Sequence, residues 1–196
     1  MSSRATITVG VLAIQGDYDA HKIRLEELGA KVVLVKKPEQ LDSVDALVFP
    51  GGESSTMLKF LERDGFFEKL RNFVRSKPAF GTCAGAILLA KTVANPSQQS
   101  LGAMDIHVCR NAYGRQLESD IREAETGLPG GPLEMVFIRS PKIENVGTDV
   151  EVLAKIGKDP VLVRQGKILV ATFHPELSAD TRVHALFLDM LRNGSH

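Results

Sequence analysis

The sequence predicts an α/β fold: a mostly parallel sheet with helices on both faces, making three layers, followed by a β-rich second half. Three observations carry the prediction. Short apolar runs alternate with stretches of helical spacing through the first half of the chain. The segment Gly81-Thr82-Cys83-Ala84-Gly85 switches from one pattern to the other at a cysteine flanked by glycines. Beyond it, further apolar runs are separated by turn residues rather than by helices.

The elements follow in order. Residues 7–14 form an apolar run that ends at Gln15-Gly16-Asp17 and reads as the first strand. Helical spacing continues through Ala20, Ile23, Leu25 and Leu28, with Gly29 as its stop. Residues 31–36 and 45–49 are the second and third strands, and Pro50-Gly51-Gly52 turns the chain. Ser54 and Ser55 are candidate caps for a helix with Met57, Leu58 and Leu61 on its apolar side. Another helix is expected over 66–74, then a buried strand into Cys83 and a buried helix over 86–90.

In the second half, strands are expected at 104–108, 133–138, 150–156, 161–164 and 167–173. Asp159-Pro160 and Gln165-Gly166 are read as turns, and 95–100 and 126–132 as loops. A closing helix carries Val183, Leu186, Phe187, Met190 and Leu191 at i, i+3, i+4, i+7, i+8 spacing. Neither a repeat nor a long linker interrupts the chain, so one domain over 1–196 is expected.

Composition narrows the function. Hydrophobic residues make up 43% of the 196, enough for a full globular core. Lys plus Arg equals Asp plus Glu at 24 each, leaving no net field to attract nucleic acid or an anionic membrane. No run approaches the length of a membrane span, and residues 1–6 lack the apolar core of a signal peptide. With two cysteines, reduced thiols and a cytoplasmic location are expected. Neither G-x-G-x-x-G nor Gly-Lys-Ser/Thr follows a strand, so no phosphate-bearing cofactor is implied. His107 and Cys109 fall short of the three or four ligands of a zinc site, so no metal is expected.

The chemistry converges on Cys83. A cysteine at the apex of a strand–turn–helix elbow is exposed to the site, and the helix N-terminus behind it suits an anionic sulfur. A thiolate nucleophile needs a base and a group to orient that base. His174-Pro175-Glu176 offers both at the end of a strong strand, where i and i+2 of an extended segment project to one side. An oxyanion hole would pair the N–H of Gly52, in the turn Pro50-Gly51-Gly52-Glu53-Ser54-Ser55, with that of Ala84.

Together these residues resemble class I glutamine amidotransferases, whose elbow cysteine and H-P-E pair form a Cys-His-Glu triad. More narrowly, the chain is similar to the glutaminase subunits of ribose 5-phosphate-dependent pyridoxal 5'-phosphate synthases. The stretches Gly10–Gly16, Pro50–Ser54, Phe80–Gly85, Arg110-Asn111-Ala112-Tyr113-Gly114-Arg115-Gln116 and Phe173–Leu177 carry the likeness. It implies a flavodoxin-like fold and attack of Cys83 on the side-chain amide of L-glutamine, with His174 as acid/base and Glu176 orienting it. It further implies Gly52, Glu53, Ser54, Arg110, Ile138 and Arg139 as substrate contacts, and Gln15 and His21 at the contact with a β/α-barrel synthase that receives the ammonia. Ile14 departs from the usual leucine, and Ala20 stands where a glutamate commonly precedes the histidine. A gate is expected at Gly51-Gly52, with the oxyanion hole completed when the synthase engages the Gln15 region. Three alternatives stay open: a glutaminase of another pathway, a cysteine peptidase or deglycase-like hydrolase of related fold, and a scaffold without turnover. The last is disfavoured because cysteine, histidine and glutamate are all present.

Overall fold

The computed structural model describes residues 6–112 and 119–194. In chain order the strands are β1 (Thr8–Leu12), β2 (Lys31–Val35), β3 (Ala46–Phe49), β4 (Ala79–Thr82), β5 (Ala90–Ala94) and β6 (Met104–Cys109). They continue as β7 (Asp120–Ala124), β8 (Leu133–Phe137), β9 (Lys142–Val146), β10 (Glu151–Ile156), β11 (Asp159–Gln165) and β12 (Ile168–Ala171). The helices are α1 (Tyr18–Glu27), α2 (Ser54–Leu61), α3 (Phe66–Ser76), α4 (Ala84–Leu89) and α5 (Arg182–Asn193).

Seven strands form the main sheet in the order β10-β11-β12-β4-β3-β1-β2. The five from β2 to β12 are parallel, in flavodoxin-like order, while β10 and β11 extend the sheet antiparallel. Both faces are covered, which is why β3, β4 and β12 are buried at every residue. One core packs α2, α3 and α4 with the small sheet β5-β6-β9 against Leu47, Phe49, Ala79 and Val170. The other packs Leu25 of α1 and Val183, Phe187, Leu188 and Leu191 of α5 against Val48, Phe80, Leu169 and Ala171. Alternate residues of each strand thus serve opposite cores.

The structure amends several expectations. The cap of α2 is Glu53, whose carboxylate accepts from the N–H of Ser55 and Thr56, and neither Ser54 nor Ser55 takes that place. A carboxylate there also meets the positive end of the helix. The expected turn at Asp159-Pro160 lies two residues earlier, at Gly157-Lys158, and Pro160 pairs with Lys155 inside the β10–β11 ladder. The buried helix ends at Leu89, because Ala90 already belongs to β5. Strands β5, β7 and β9 were not expected at all, each being short with solvent-facing polar residues.

At Gly85, α4 runs hard against the end of β3. A Cβ there would collide with the backbone carbonyl of Phe49 at the end of β3. Neither backbone can yield without moving the sheet or the helix, so Gly85→Ala is expected to destabilise the fold by about 1–3 kcal/mol or more. Urea denaturation would read this as a lowered midpoint, and an unchanged midpoint would show that α4 is not locked in this way.

Candidate active site

Cys83 occupies a strained corner. It follows β4 directly and precedes α4, with φ 49° and ψ −104°, a conformation that L residues rarely adopt. Neighbours hold it there. Its N–H donates to the Ala171 carbonyl at 3.0 Å, and its own carbonyl accepts from Ile87 at 3.3 Å. The side chain is nearly buried at 6% exposure, with Sγ 3.9 Å from the Ile138 carbonyl. The elbow is therefore held at the carboxyl end of the central strands, where ligand sites of open α/β sheets form.

His174 arrives from the neighbouring strand. Beyond β12 the chain is pinned by the His174 N–H donating to Val136 at 2.7 Å. The segment then leaves the extended conformation: Pro175–Leu177 is one turn of 3-10 helix. Same-side projection in a strand is thus not what unites the pair. Proline fits the first position of that turn, which folds Glu176 back so that Oε1 lies 2.7 Å from His174 Nδ1. Both side chains are almost wholly buried. Asp17 offers a second carboxylate, its Oδ2 at 3.8 Å from the same Nδ1.

The electrostatics follow from burial and pairing. Desolvation alone would lower the His174 pKa, but hydrogen bonds and charge from Cys83 and Glu176 override it and raise it to about 10. Desolvation would raise Glu176, yet the His21 and His174 rings hold it below its ordinary value. At neutral pH the imidazole keeps its proton between sulfur and carboxylate. Asp17, His174 and Glu176 also offer ligand atoms within 4.8 Å of one another. A cation there would have to compete with the His174–Glu176 hydrogen bond.

The turn after β3 closes the site. A Cβ on Gly51 would strike the His174 ring and lie 3.4 Å from Cys83 Cβ, so only glycine leaves room between them. The Gly51 carbonyl accepts from the Asp17 N–H at 3.2 Å, and in a trans peptide the Gly52 N–H points the opposite way. Gln15 Oε1 accepts from the Glu53 N–H at 3.0 Å, tying the end of β1 to this turn.

Glu53 and Arg110 meet at 3.3 Å, and Arg110 also reaches Ser55 Oγ at 3.3 Å. Desolvation opposes it, but hydrogen bonds from Ser55 and Thr56 hold the Glu53 pKa down at about 2. Ser54 faces inward, its hydroxyl on Gln98 at 3.0 Å. Ile138 presents its carbonyl to Cys83, and Arg139 beside it adopts φ 45°.

One expectation is overturned. His21, expected at a partner contact, is fully buried inside the molecule. Its Nε2 lies 3.0 Å from Thr82 Oγ1 and 3.3 Å from Glu176 Oε2, and its Nδ1 lies 2.9 Å from His184 Nε2. Sequence reasoning passed over His184, Thr82 and Asp17, which share this site. Only the polar character of His184 on a buried helix face could have flagged one of them. Of the Arg110–Gln116 stretch, Tyr113, Gly114, Arg115 and Gln116 lie outside the described residues. His107 pairs with Thr92 at 2.7 Å and with Glu144 at 3.4 Å.

The architecture is that of glutamine amidotransferases. A solved glutamine amidotransferase at 47% identity matches with a TM-score of 0.87, over 94% of this chain and 98% of its own. Another, from Thermotoga maritima, has a TM-score of 0.61 over 97% of this chain and 86% of its own; at 16% identity it speaks for the fold alone. Within that class, the chain belongs to the SNO glutamine amidotransferase family, whose model matches residues 11–193. The pyridoxal 5'-phosphate synthase subunit PdxT of Koribacter versatilis (strain Ellin345) is 66% identical, covering 95% of this chain and 97% of its own length.

Two histidines set opposite pH limbs for stability. His184 is depressed to about 3, chiefly by burial, so its contribution is full above its ordinary 6.5 and is lost as pH falls toward 3. His174 is raised to about 10, so its contribution is full below 6.5 and is lost as pH climbs toward 10. Unfolding free energy measured across pH should peak between these limbs, and His174→Gln should flatten the alkaline one. A wild-type alkaline limb already flat to pH ~10 would contradict the raised His174.

Proposed function

We propose that this protein hydrolyses L-glutamine through a thioester on Cys83 and passes the ammonia to a synthase partner that builds pyridoxal 5'-phosphate. The observation that carries the chemistry is the buried imidazole of His174, paired with Glu176 at 2.7 Å and set beside Cys83 across Gly51. The PdxT relatives supply the pathway and, as subunits of a synthase, the idea of a partner. The neutral charge balance fits a small polar substrate as well as a protein partner.

In this reading the Cys83 sulfur attacks the substrate's side-chain carbonyl, and the electron pair moves onto oxygen. The N–H groups of Gly52 and Ala84 would receive that oxyanion. As the tetrahedral adduct collapses, His174 gives its proton to the departing nitrogen, and ammonia leaves. Water then adds to the thioester with His174 as base, the C–S bond breaks, and glutamate is released. Glu176 never takes the proton; it orients the imidazole and stabilises its charged form.

Glu53 and Arg110 would grip the far end of the substrate: the carboxylate suits the α-ammonium, the guanidinium the α-carboxylate. Ser54, buried on Gln98, would act by shaping this turn, while the Ile138-Arg139 backbone walls the pocket beside sulfur. Gln15 stands where a partner could act, because it already holds the Glu53 amide. A β/α-barrel synthase pressing on this segment in the cytoplasm would complete the oxyanion hole through the Gly51-Gly52 peptide.

Glutamate release assayed with purified protein tests this. Cys83→Ala should abolish turnover, by at least about 10³-fold, and Glu176→Gln should lower kcat by about 10²–10⁴-fold. Retained hydrolysis in Cys83→Ala would remove the nucleophile from the scheme. Arg110→Ala should act mainly on KM, raising it about tenfold or more. Adding the cognate synthase should raise kcat at least about tenfold, since a missing oxyanion donor costs more than that. Equal turnover with and without the synthase would refute the gate.

A further inference from the structure

Behind Glu176, away from Cys83, lies a chain of buried polar groups that the hydrolytic steps leave unused. His21 comes from α1, His184 from α5 and Thr82 from the last residue of β4; His21, His184 and Thr82 are all fully buried. The contacts run from Glu176 Oε2 to His21 Nε2 at 3.3 Å, then from His21 Nδ1 to His184 Nε2 at 2.9 Å. Phe80 closes the cluster, with ring centroids 6.0 Å from His21 and 5.7 Å from His184.

Chemistry selects one arrangement of protons. Burial lowers the pKa of both histidines, so each ring is neutral and carries a single N–H. Charged or titratable groups near them are Glu176, His174 and Asp17 on the His21 side, with Arg24 beside His184. Were His21 protonated on Nδ1, its bare Nε2 would set a lone pair against the carboxylate. Glu176 Oε2 is buried and has no aligned hydrogen bond among the described residues, so a bare nitrogen 3.3 Å away would leave it without even an off-axis donor. With the proton on Nε2, His21 donates to Thr82 Oγ1 at 3.0 Å and turns the positive end of the same N–H toward Glu176 Oε2, 3.3 Å away. Its Nδ1 then accepts from His184 Nε2–H, which leaves His184 Nδ1 as a bare acceptor. Among the described residues that atom has no partner, which costs less for a neutral acceptor than for a stranded N–H.

We infer that His21 is a positioning residue for the hydrolysis: its Nε2–H holds the second carboxylate oxygen of Glu176, and His184 fixes the tautomer that makes this possible. The inference rests on the proposed role of Glu176. Because both rings are neutral, they supply dipoles rather than charge. Glu176 therefore keeps its full charge available to the imidazolium of His174. Clamping Oε2 also orients the carboxylate plane so that Oε1 meets His174 Nδ1. Ligand-orienting outer groups of this kind commonly matter by one to two orders of magnitude.

Two near-isosteric variants separate this role from packing. In H21Q the amide nitrogen reaches the Nε2 position and can donate to Glu176. In H21N it reaches only the Nδ1 position. H21N should lose about 10–100-fold in kcat with KM changed less than about twofold, while H21Q should stay within about fivefold of wild type. H21N should cost little further in an E176Q background, since both act through one carboxylate. Equal kcat in H21Q and H21N, whether high or low, overturns the inference. E176Q with wild-type kcat would instead sink the role of Glu176 itself, and this inference with it. On the unaltered protein, ¹⁵N NMR of the histidine rings should find His21 neutral with its proton on Nε2 between about pH 6 and 9. A proton on Nδ1, or titration within that range, overturns it even if neither variant folds.

Discussion

The parallel pairing of β12 with β4 is the contact on which this site depends. Ala171 stands opposite Thr82, and the ladder is completed when the Cys83 N–H donates to the Ala171 carbonyl at 3.0 Å. That bond fixes the elbow at one strand's end beside the departure of the other. Three residues later the chain places His174 next to the sulfur. Register and burial enforce each other here. Phe80, Leu169 and Ala171 enter one core, whereas Ala79, Ile168 and Val170 enter the other. A slip of one residue would exchange the two sets and turn apolar side chains into the wrong layer. The packing of both cores therefore determines where the sulfur and the imidazole meet.

Burial then sets the chemistry of the groups so placed. A carboxylate as enclosed as Glu176 would ordinarily take up a proton to escape its charge. The His174 hydrogen bond on Oε1 opposes that, with the His21 ring 3.3 Å from Oε2. The same enclosure strengthens the His174–Glu176 attraction, because little water competes for either partner. Yet removing one member of such a buried set is costly, since the survivor keeps its desolvation penalty. The histidine pair behind Glu176 avoids a second buried charge. In the inferred arrangement it would face the carboxylate with neutral dipoles, at a cost that desolvation of a cation would exceed.

Much of this was legible in the sequence, for identifiable reasons. The central strands are buried on both faces, so their apolar runs are continuous, and the elbow and H-P-E segment are local motifs. Short strands with solvent-facing polar residues escaped: Asp120–Ala124 reads as a charged loop, and Lys142–Val146 buries only Ile143. The cap of α2 was misplaced because Ser54 and Ser55 are the commoner capping types, whereas the longer Glu53 side chain reaches back over the first turn. A 3-10 turn at Pro175–Leu177 stands where the pattern reads as extended, so His174 and Glu176 meet through a different geometry from the expected one. The contact between His21 and His184 joins residues 163 apart in sequence, and no local pattern announces it. On α1, only His21 and Leu25 are buried, so the helix carries too weak an apolar stripe to show which face turns inward.

The central claim is that Cys83, held at the elbow against His174, is the sulfur that bonds to substrate. Its most direct test is covalent capture with a chloroketone analogue of glutamine, followed by peptide mass spectrometry. One equivalent should add at Cys83, and excess glutamine should protect it. Labelling at Cys109, the other free thiol, or labelling that glutamine does not slow, would contradict the claim.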